Sequence, residues 1–248
     1  RQNERAIVEE FQKNCGAIRY VRTESRETVY RAWNRALEMA TGRYVTNGDA
    51  DDRHRADALE VMARALDRFG EIDLLYADSL ISNHPNETFL NSSATERYDW
   101  PDFNLGTALS NFIFGPHPVW RRSLHGRIGE FDPELSVVGD YEFCLRAAWK
   151  CGAAHLRETM GIFYQNSDTV SGQSNVRKTD DETLQILRRL REAIPITDVY
   201  SGLSQLKPSD PGFAAAWFDF GNLCALSPYN DFEFALGSYE KALEILKD

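Results

Sequence analysis

The chain has 248 residues, of which 42% are hydrophobic, and a formal net charge of −10 at pH 7. This length and apolar fraction allow one large packed domain, or one domain with a small annex, and exclude a chain that is disordered throughout. The acidic balance, without any long basic run, argues against a nucleic-acid-binding protein and against a basic helix on an anionic membrane.

Cysteine usage and hydropathy bear on the cellular compartment. The four cysteines are scattered singly, at positions 15, 144, 151 and 224, without a C-x-x-C pair or a zinc-ligand spacing. No apolar run approaches the roughly 18 residues of a membrane span, and the first residues do not resemble a signal peptide. We therefore expect no transmembrane segment and a cytoplasmic protein, free or at the inner face of the membrane.

Helical and strand patterns alternate through the first part of the chain. Apolar residues at helical spacing predict helices over residues 1–11, 28–40 and 55–69. Short apolar runs predict strands at residues 17–21, 43–46 and 72–77. This alternation is typical of an α/β layer architecture with a mostly parallel sheet.

The pattern then becomes less regular and finally helical. The sequence predicts a long surface loop over residues 83–110 and helices over residues 140–150 and 180–193. From about residue 195 the sequence indicates small helices without strands. We expect two parts: an α/β domain over residues 1–178 and a helical tail over residues 179–248.

The tail contains one recognisable unit at about residues 212–247. A helix–turn–helix outline, with Ala235, Tyr239 and Ala242 at helical spacing, is similar to a single tetratricopeptide repeat. One such repeat cannot bury its own faces, so we expect it either to pack on the α/β domain or to begin an array. An array would offer a surface to a protein partner.

The strongest chemical signal is an acidic turn after the predicted strand at residues 43–46. Asp49, Asp51 and Asp52 stand at the carboxyl end of that strand, where α/β sheets place their ligands. Carboxylate oxygens suit Mg²⁺ or Mn²⁺, which bind through one or two carboxylates plus substrate phosphates. Alternatively, Asp51 or Asp52 caps the helix that follows, and the spacing alone leaves both hypotheses open.

A second acidic candidate is Asp140, at the start of the helix predicted over residues 140–150. It either caps that helix or acts as a general base that accepts a proton from an attacking hydroxyl. Glu142 is the weaker candidate for a base, because it lies within the helix rather than at its mouth.

Other residues narrow the class of enzyme. The five histidines include no pair at i, i+4 spacing, and no G-x-S-x-G, P-loop or G-x-G-x-x-G occurs. These absences argue against hydrolase, kinase and dinucleotide-binding functions. We expect Trp33 and Trp149 in the core, whereas Trp120, in a proline-rich segment, is the best candidate for contact with a sugar.

Segments within residues 1–175 resemble, in the right order, family-2 glycosyltransferases of the GT-A fold. On the donor side they are residues 26–34 (RETVYRAWN), 40–44 (ATGRY) and 49–52 (DADD). On the acceptor side they are residues 115–121 (GPHPVWR), 129–132 (GEFD) and 139–146 (GDYEFCLR). More narrowly, the chain resembles a bacterial subgroup whose multidomain members also carry tetratricopeptide repeats.

The resemblance implies a GT-A-like mixed, mostly parallel sheet and sugar transfer from a nucleotide-diphosphate donor to a hydroxyl of a glycan or protein acceptor. By position, Asp51 resembles the aspartate that binds a divalent metal ion, Mg²⁺ or Mn²⁺, and Asp49 resembles the one near the donor's ribose. Asp140 resembles the catalytic base of an inverting transfer. Trp120 and Arg121 fall on the acceptor side.

Three features depart from the family pattern. The family's first strand, with its nucleotide-binding aspartate, would lie before Arg1. Many members carry an acidic residue where this chain has Gly139. Many also carry a histidine, often a metal ligand, after the tyrosine that corresponds to Tyr164, whereas residues 165–167 here read QNS.

Two other functions stay open at this point. A catalytically silent scaffold would bind protein partners through the repeat-like tail. A divalent-metal phosphohydrolase would use the acidic turn, although no downstream Lys or Thr motif supports it. The intact Asp49, Asp51 and Asp140 favour the glycosyltransferase over the scaffold.

Overall fold

One mixed β-sheet, with helices on both faces, forms the centre of the protein. A computed structural model describes residues 4–165 and 176–247. The strands within these ranges are β1 (Tyr44–Thr46), β2 (Arg53–His54), β3 (Leu74–Ser82), β4 (Glu96–Tyr98), β5 (Val119–Arg121) and β6 (Ala153–Tyr164). The predicted α/β class is therefore confirmed.

The helices follow the predicted periodicity closely. Those within the described ranges are α1 (Glu4–Gln12), α2 (Val29–Met39), α3 (Ala58–Arg68), α4 (Leu105–Ala108), α5 (His125–Ile128), α6 (Gly139–Cys151), α7 (Val176–Ala193), α8 (Ile196–Val199), α9 (Pro211–Ala225) and α10 (Phe232–Ile245). In this part of the chain, no helix combines the length and the apolar character that crossing a bilayer requires.

The strand order is β1-β5-β3-β6-β2, and β4 pairs with β3 outside this path. Between the described strands only β3 and β6 pair in parallel, so the prediction of a mostly parallel sheet was wrong. The reason is the short strand β5, which lies antiparallel between β1 and β3. β1, β3 and β6 nevertheless run in the same direction, so their carboxyl ends share one edge of the sheet.

The two faces of the sheet carry separate cores. In β3, Leu75 and Ala77 face α3, where they pack with Met62 and Leu66. The alternate residues Leu74 and Tyr76 belong to the larger cluster on the other face, which also contains residues of α2, α6 and the tail. This alternation is the period-two pattern of a strand that is covered on both sides.

The strand predictions were wrong or incomplete in several places. Residues 17–21 form no strand, and β2, β5 and β6 were not predicted. β6 carries His155, Arg157 and Glu158 within its length, and these polar residues break the apolar run by which a buried strand is recognised. The predicted loop at residues 83–110 contains the short β4 and α4.

The tail packs on the α/β part of the protein. Phe220 and Cys224 of α9 belong to the same hydrophobic cluster as Leu109 and Tyr141. α9 and α10 form a helical hairpin over most of the range in which the repeat-like unit was predicted. That this hairpin is a tetratricopeptide repeat stays a prediction.

A buried ion pair joins α7 to the start of α10. Arg191 and Asp231, whose side chains are fully buried, approach to 2.7 Å, and Arg191 Nε also donates to the Leu109 carbonyl (2.8 Å). Arg188 pairs with the same aspartate at 2.6 Å. Because a buried carboxylate must be neutralised by a close partner, these contacts fix the tail on α7.

Candidate active site

The acidic turn lies at the shared carboxyl edge of the sheet, as the sequence predicts. Residues 47–52 leave β1 and are tied to the loop that precedes β5. Thr46 Oγ1 donates to the Pro118 carbonyl (2.8 Å), and Asn47 Nδ2 donates to the Pro116 carbonyl (3.1 Å). These bonds fix the start of the turn and hold Asp49 close to that loop.

Asp49 and Asp51 are both exposed on this turn. Desolvation within the cleft, and then the negative charge of Asp51, raise the pKa of Asp49. Two neighbouring carboxylates on one exposed turn form a place where a cation would be stabilised.

Asp52 differs from its two acidic neighbours. Its side chain is only 6% exposed, and its Oδ1 accepts a hydrogen bond from the Tyr164 N–H (2.9 Å) at the end of β6. Burial raises the pKa of Asp52 to about 6. The hypothesis that Asp51 or Asp52 caps a helix was wrong, because β2 follows the turn and α3 begins only at Ala58.

No role was predicted for His117, a buried histidine next to the turn. The Nδ1 atom of His117 lies 3.1 Å from Ser79 Oγ, and its Nε2 atom lies 3.8 Å from Asp52 Oδ2. Burial, and then the neighbouring His54, lower the pKa of His117 to about 3, so the ring is neutral at pH 7. Gly161 makes room for it, because a Cβ there would overlap the imidazole.

Asp140 lies in the first turn of α6, whose N-cap position is occupied by Val138. Its carboxylate is therefore not the cap, although the positive end of the helix dipole favours its charge. Burial nevertheless raises the pKa of Asp140 to about 6, and the charge of Asp49 contributes in the same direction. The charge of Asp49 thus acts on Asp140, and both carboxylates line the same cavity.

The Tyr30 ring packs against Gly139, the residue before Asp140, and leaves no room there for a side chain. The Tyr30 hydroxyl donates to the Val137 carbonyl (2.6 Å) and lies 3.2 Å from Asp140 Oδ1. A Cβ at Gly139 would lie 2.6 Å from the Tyr30 ring. The acidic side chain that many family members carry at this position would collide with that ring, so Tyr30 and Gly139 belong together.

Glu182 of α7 organises the loop that leads into α6, and the sequence analysis missed it. Its carboxylate accepts hydrogen bonds from the backbone N–H groups of Ser136, Val137 and Val138, at 2.7–2.9 Å. Burial raises the pKa of Glu182, but these hydrogen bonds outweigh it and the net pKa is lowered. The Ser136 hydroxyl also donates to this carboxylate (2.9 Å), but the other partners are backbone groups, so no sequence motif could have revealed the role.

Asp49 and Asp140 line one cavity of about 350 Å³ at the carboxyl edge of the sheet, which we call the aromatic cavity. Ten of the 21 described residues in its wall are aromatic, among them Trp33, Tyr98, Trp100, Phe112, Trp120 and Phe163. A cavity of this size, largely apolar and with a few convergent polar groups, is typical of a small-molecule site. Asp51 lies beside the cavity rather than in its wall.

The two acceptor-side candidates point in different directions. Trp120 is 2% exposed and borders the cavity, while its indole N–H donates to His125 Nε2 (2.9 Å). Arg121 does not line the cavity; its Nε lies 3.0 Å from Asp73 Oδ1 and its guanidinium also meets backbone carbonyls of the α3 region. Neighbouring residues of a strand face opposite sides, so only Trp120 is near the candidate site.

The donor groups present fit a divalent metal that is shared with a substrate. Among residues 4–165 and 176–247, no three His, Cys, Asp or Glu side chains are grouped as a complete metal site. Asp49 and Asp51 are hard oxygen donors, which suit an ion that takes one or two protein carboxylates and completes its shell with phosphates and water. The predicted departure at Asn166 and Ser167 lies outside the described residues.

Similar proteins are found by sequence. Residues 1–119 match the family described as Glycosyl transferase family 2. PGL/p-HBAD biosynthesis glycosyltransferases of Mycobacterium tuberculosis and Mycobacterium bovis are 27% identical over 143 residues, which cover 56% of this chain and 51% of theirs. The chain thus spans about half the length of the curated relatives it matches.

Similar proteins are also found by fold. A crystal structure of S. aureus TarS 1–349 superposes with a TM-score of 0.52 at 17% sequence identity, covering 99% of this chain and 78% of that one. A second crystal structure of S. aureus TarS gives a TM-score of 0.53 at the same identity, covering 98% and 47%. The chain is thus similar to glycosyl transferase family 2 over residues 1–119, and it shares its fold with the two solved structures.

Proposed function

We propose that the protein transfers a sugar from a nucleotide-diphosphate donor to a hydroxyl of a glycan or protein acceptor, with inversion and with a divalent metal ion. The observation that supports this best is the common cavity of Asp49 and Asp140. Asp49 comes from the turn that would receive the donor, and Asp140 comes from the start of α6. Donor and acceptor would therefore meet between them.

Asp140 acts in this proposal as the general base. It accepts the proton of the acceptor hydroxyl while that oxygen bonds to the anomeric carbon, and the bond from this carbon to the nucleotide diphosphate breaks. A pKa of about 6 leaves the carboxylate charged at neutral pH and able to hold the proton that it accepts. The Tyr30 hydroxyl, 3.2 Å away, orients it.

The acidic turn binds the donor. Asp51 would hold the metal ion and Asp49 would lie nearer to the ribose, by resemblance to the family. A bound Mg²⁺ or Mn²⁺ supplies positive charge that stabilises the departing diphosphate. Asp52 keeps the turn in place through its hydrogen bond from Tyr164.

The proposal is tested by calorimetric titration with UDP-, GDP- and dTDP-sugars, with and without Mn²⁺, followed by assays for released sugar. We expect metal-dependent binding of one donor, weakened at least tenfold in Asp51→Asn. Asp140→Asn should keep donor binding and lose turnover by about 10²–10⁴-fold, the range of general-base catalysis. Glu240→Gln removes an exposed carboxylate of α10 and serves as the matched control.

Failure of the folded protein to bind any of these donors would contradict the proposal. So would equal metal-dependent binding by the wild type and Asp51→Asn. Release of inorganic phosphate from simple phosphoesters, in place of sugar transfer, would instead support the phosphohydrolase.

A second candidate function, a scaffold for a protein partner, is favoured by apolar side chains on the surface of the tail. Leu226 is 84% exposed, and Phe218, Phe232, Leu236 and Leu243 are also largely exposed. Such a surface is typical of an interaction site. If the tail binds a partner while no nucleotide-sugar is turned over, this candidate replaces the first.

A further inference from the structure

The tail reaches into the aromatic cavity. Tyr229 lies in the turn between α9 and α10, far from the acidic turn in sequence, yet it lines the same cavity as Asp49 and Asp140. Thr183 of α7 lines it as well. One part of the wall around the candidate base is therefore built from α7 and the tail.

The turn that carries Tyr229 is held in place from several directions. Asp231, fixed by its buried ion pair with Arg191, accepts a hydrogen bond from the Phe234 N–H, and its own N–H donates to the Cys224 carbonyl (3.2 Å). Ser227 Oγ donates to the same carbonyl (3.1 Å). A side chain on such a supported turn is positioned for ligand contact without a large ordering cost.

Thr183 offers a buried hydroxyl in the cavity wall beside the Tyr229 hydroxyl. Thr183 is 1% exposed, and among the described residues its Oγ1 makes no hydrogen bond of normal geometry, although the Tyr229 hydroxyl is close enough to interact with it. A buried hydroxyl that is not fully satisfied is costly, so the group is expected to gain a hydrogen bond when the cavity is filled. The indole N–H of Trp100, another cavity residue, is unpartnered in the same sense.

Tyr229 lies next to Thr183. Burial, and then the charge of Asp180, raise the pKa of Tyr229, while the Thr183 hydroxyl acts in the opposite direction. The Tyr229 hydroxyl therefore keeps its proton at neutral pH. The two side chains present adjacent hydroxyl groups, of which each can donate or accept a hydrogen bond.

We propose that Tyr229 and Thr183 bind hydroxyl groups of the acceptor, so that the helical tail forms part of the acceptor site. The ligand is a sugar ring, because a ring with hydroxyl groups at its rim and C–H groups on its faces matches a wall of hydroxyls and aromatic side chains. This inference rests on the proposed function, since it assigns the acceptor to the part of the cavity wall that is formed by α7 and the tail.

Saturation-transfer NMR with methyl glycosides of common hexoses tests the inference without donor. We expect a ligand signal in the wild type that falls about three- to tenfold in Tyr229→Phe and in Thr183→Val, as the loss of one hydrogen bond predicts. Thr183→Ser should restore it, because serine keeps the hydroxyl. Tyr239→Phe is the matched control, since it removes a tyrosine hydroxyl of the same hairpin that bonds to Asn222 (2.8 Å) instead of lining the cavity.

Two outcomes overturn the inference: no methyl glycoside binds to the wild type, or Tyr229→Phe and Thr183→Val bind as well as Tyr239→Phe. Circular dichroism of each variant shows whether a lost signal is caused by misfolding. Thr183→Ser keeps the hydroxyl and removes the methyl group, so it distinguishes a lost hydrogen bond from a lost packing contact. Turnover of nucleotide-sugar is measured on the same wild-type sample. Glycoside binding that depends on Tyr229, without any turnover, would contradict the proposed function and leave the binding site standing.

Discussion

The carboxylate of Asp140 is charged in surroundings that disfavour charge, and we predict that its neutralisation stabilises the protein. Burial is the main cause that raises its pKa to about 6, from an ordinary value of 3.8. Asparagine has nearly the same shape and keeps an oxygen near the Tyr30 hydroxyl. Asp140→Asn should therefore lose sugar transfer and yet increase the free energy of unfolding at pH 7.5.

The magnitude follows from proton linkage. A carboxyl group whose pKa is higher in the folded than in the unfolded state lowers the stability of the fold as the pH rises through that interval. For a change from 3.8 to about 6, at about 1.4 kcal/mol per pH unit, the cost at neutral pH is up to about 3 kcal/mol. Below about pH 4 both states are protonated and the cost disappears.

Urea unfolding from pH 8 down to pH 4.5 measures this effect. The advantage of Asp140→Asn over the wild type should be largest above pH 7 and shrink as the pH falls below 6. Glu240→Gln, which removes an exposed carboxylate, should stay within about 0.5 kcal/mol of the wild type at every pH. A gain that does not depend on pH, or a loss of stability at pH 7.5, would refute the reasoning.

Three further substitutions test other contacts. Tyr30→Phe should lower turnover about three- to tenfold and move the acid limb of the pH–rate profile to higher pH. The hydrogen bond from Tyr30 lowers the pKa of Asp140, so its loss raises that pKa; an unmoved limb contradicts this. Gly139→Ala should reduce the free energy of unfolding by about 1–3 kcal/mol, because the added methyl group would clash with the Tyr30 ring. An unchanged urea midpoint would contradict this close contact between Gly139 and Tyr30. Asp231→Ala should lower the free energy of unfolding by about 3–5 kcal/mol, since it leaves Arg191 buried without its carboxylate partner. A thermal unfolding midpoint close to that of the wild type would show that the ion pair is not needed for stability.

Signals that lie within one element could be predicted from the sequence. The helices α2, α3 and α6 were expected because each carries apolar residues at helical spacing, and α7 was expected as a charged helix that ends before Pro195. The acidic turn was expected at the end of a strand, and Asp49 lies there. That Asp49 and Asp140 share a cavity followed from the family resemblance, because no local pattern relates two residues so far apart in sequence.

Features that depend on pairing between distant segments could not be predicted. β5 has only three residues, and its insertion between β1 and β3 reverses the expected pairing of the sheet. Glu182 looked like one more charge on a polar helix, since nothing in the sequence indicates that it binds the backbone before α6. Arg121 was grouped with Trp120 because both stand in the segment that resembles the family's acceptor side, whereas the two side chains lie on opposite faces of the strand.

The ion pair between Arg191 and Asp231 affects how parts of this protein can be exchanged. The family match ends at residue 119, whereas the wall of the aromatic cavity includes Tyr229. A chimaera that borrowed another protein's C-terminal helices would replace part of that wall and, without an aspartate at position 231, would leave a guanidinium buried without its partner. We therefore expect recombination between this protein and its relatives to exchange α7 and the α9–α10 hairpin together. Such an exchange would change substrate preference and folding stability at the same time.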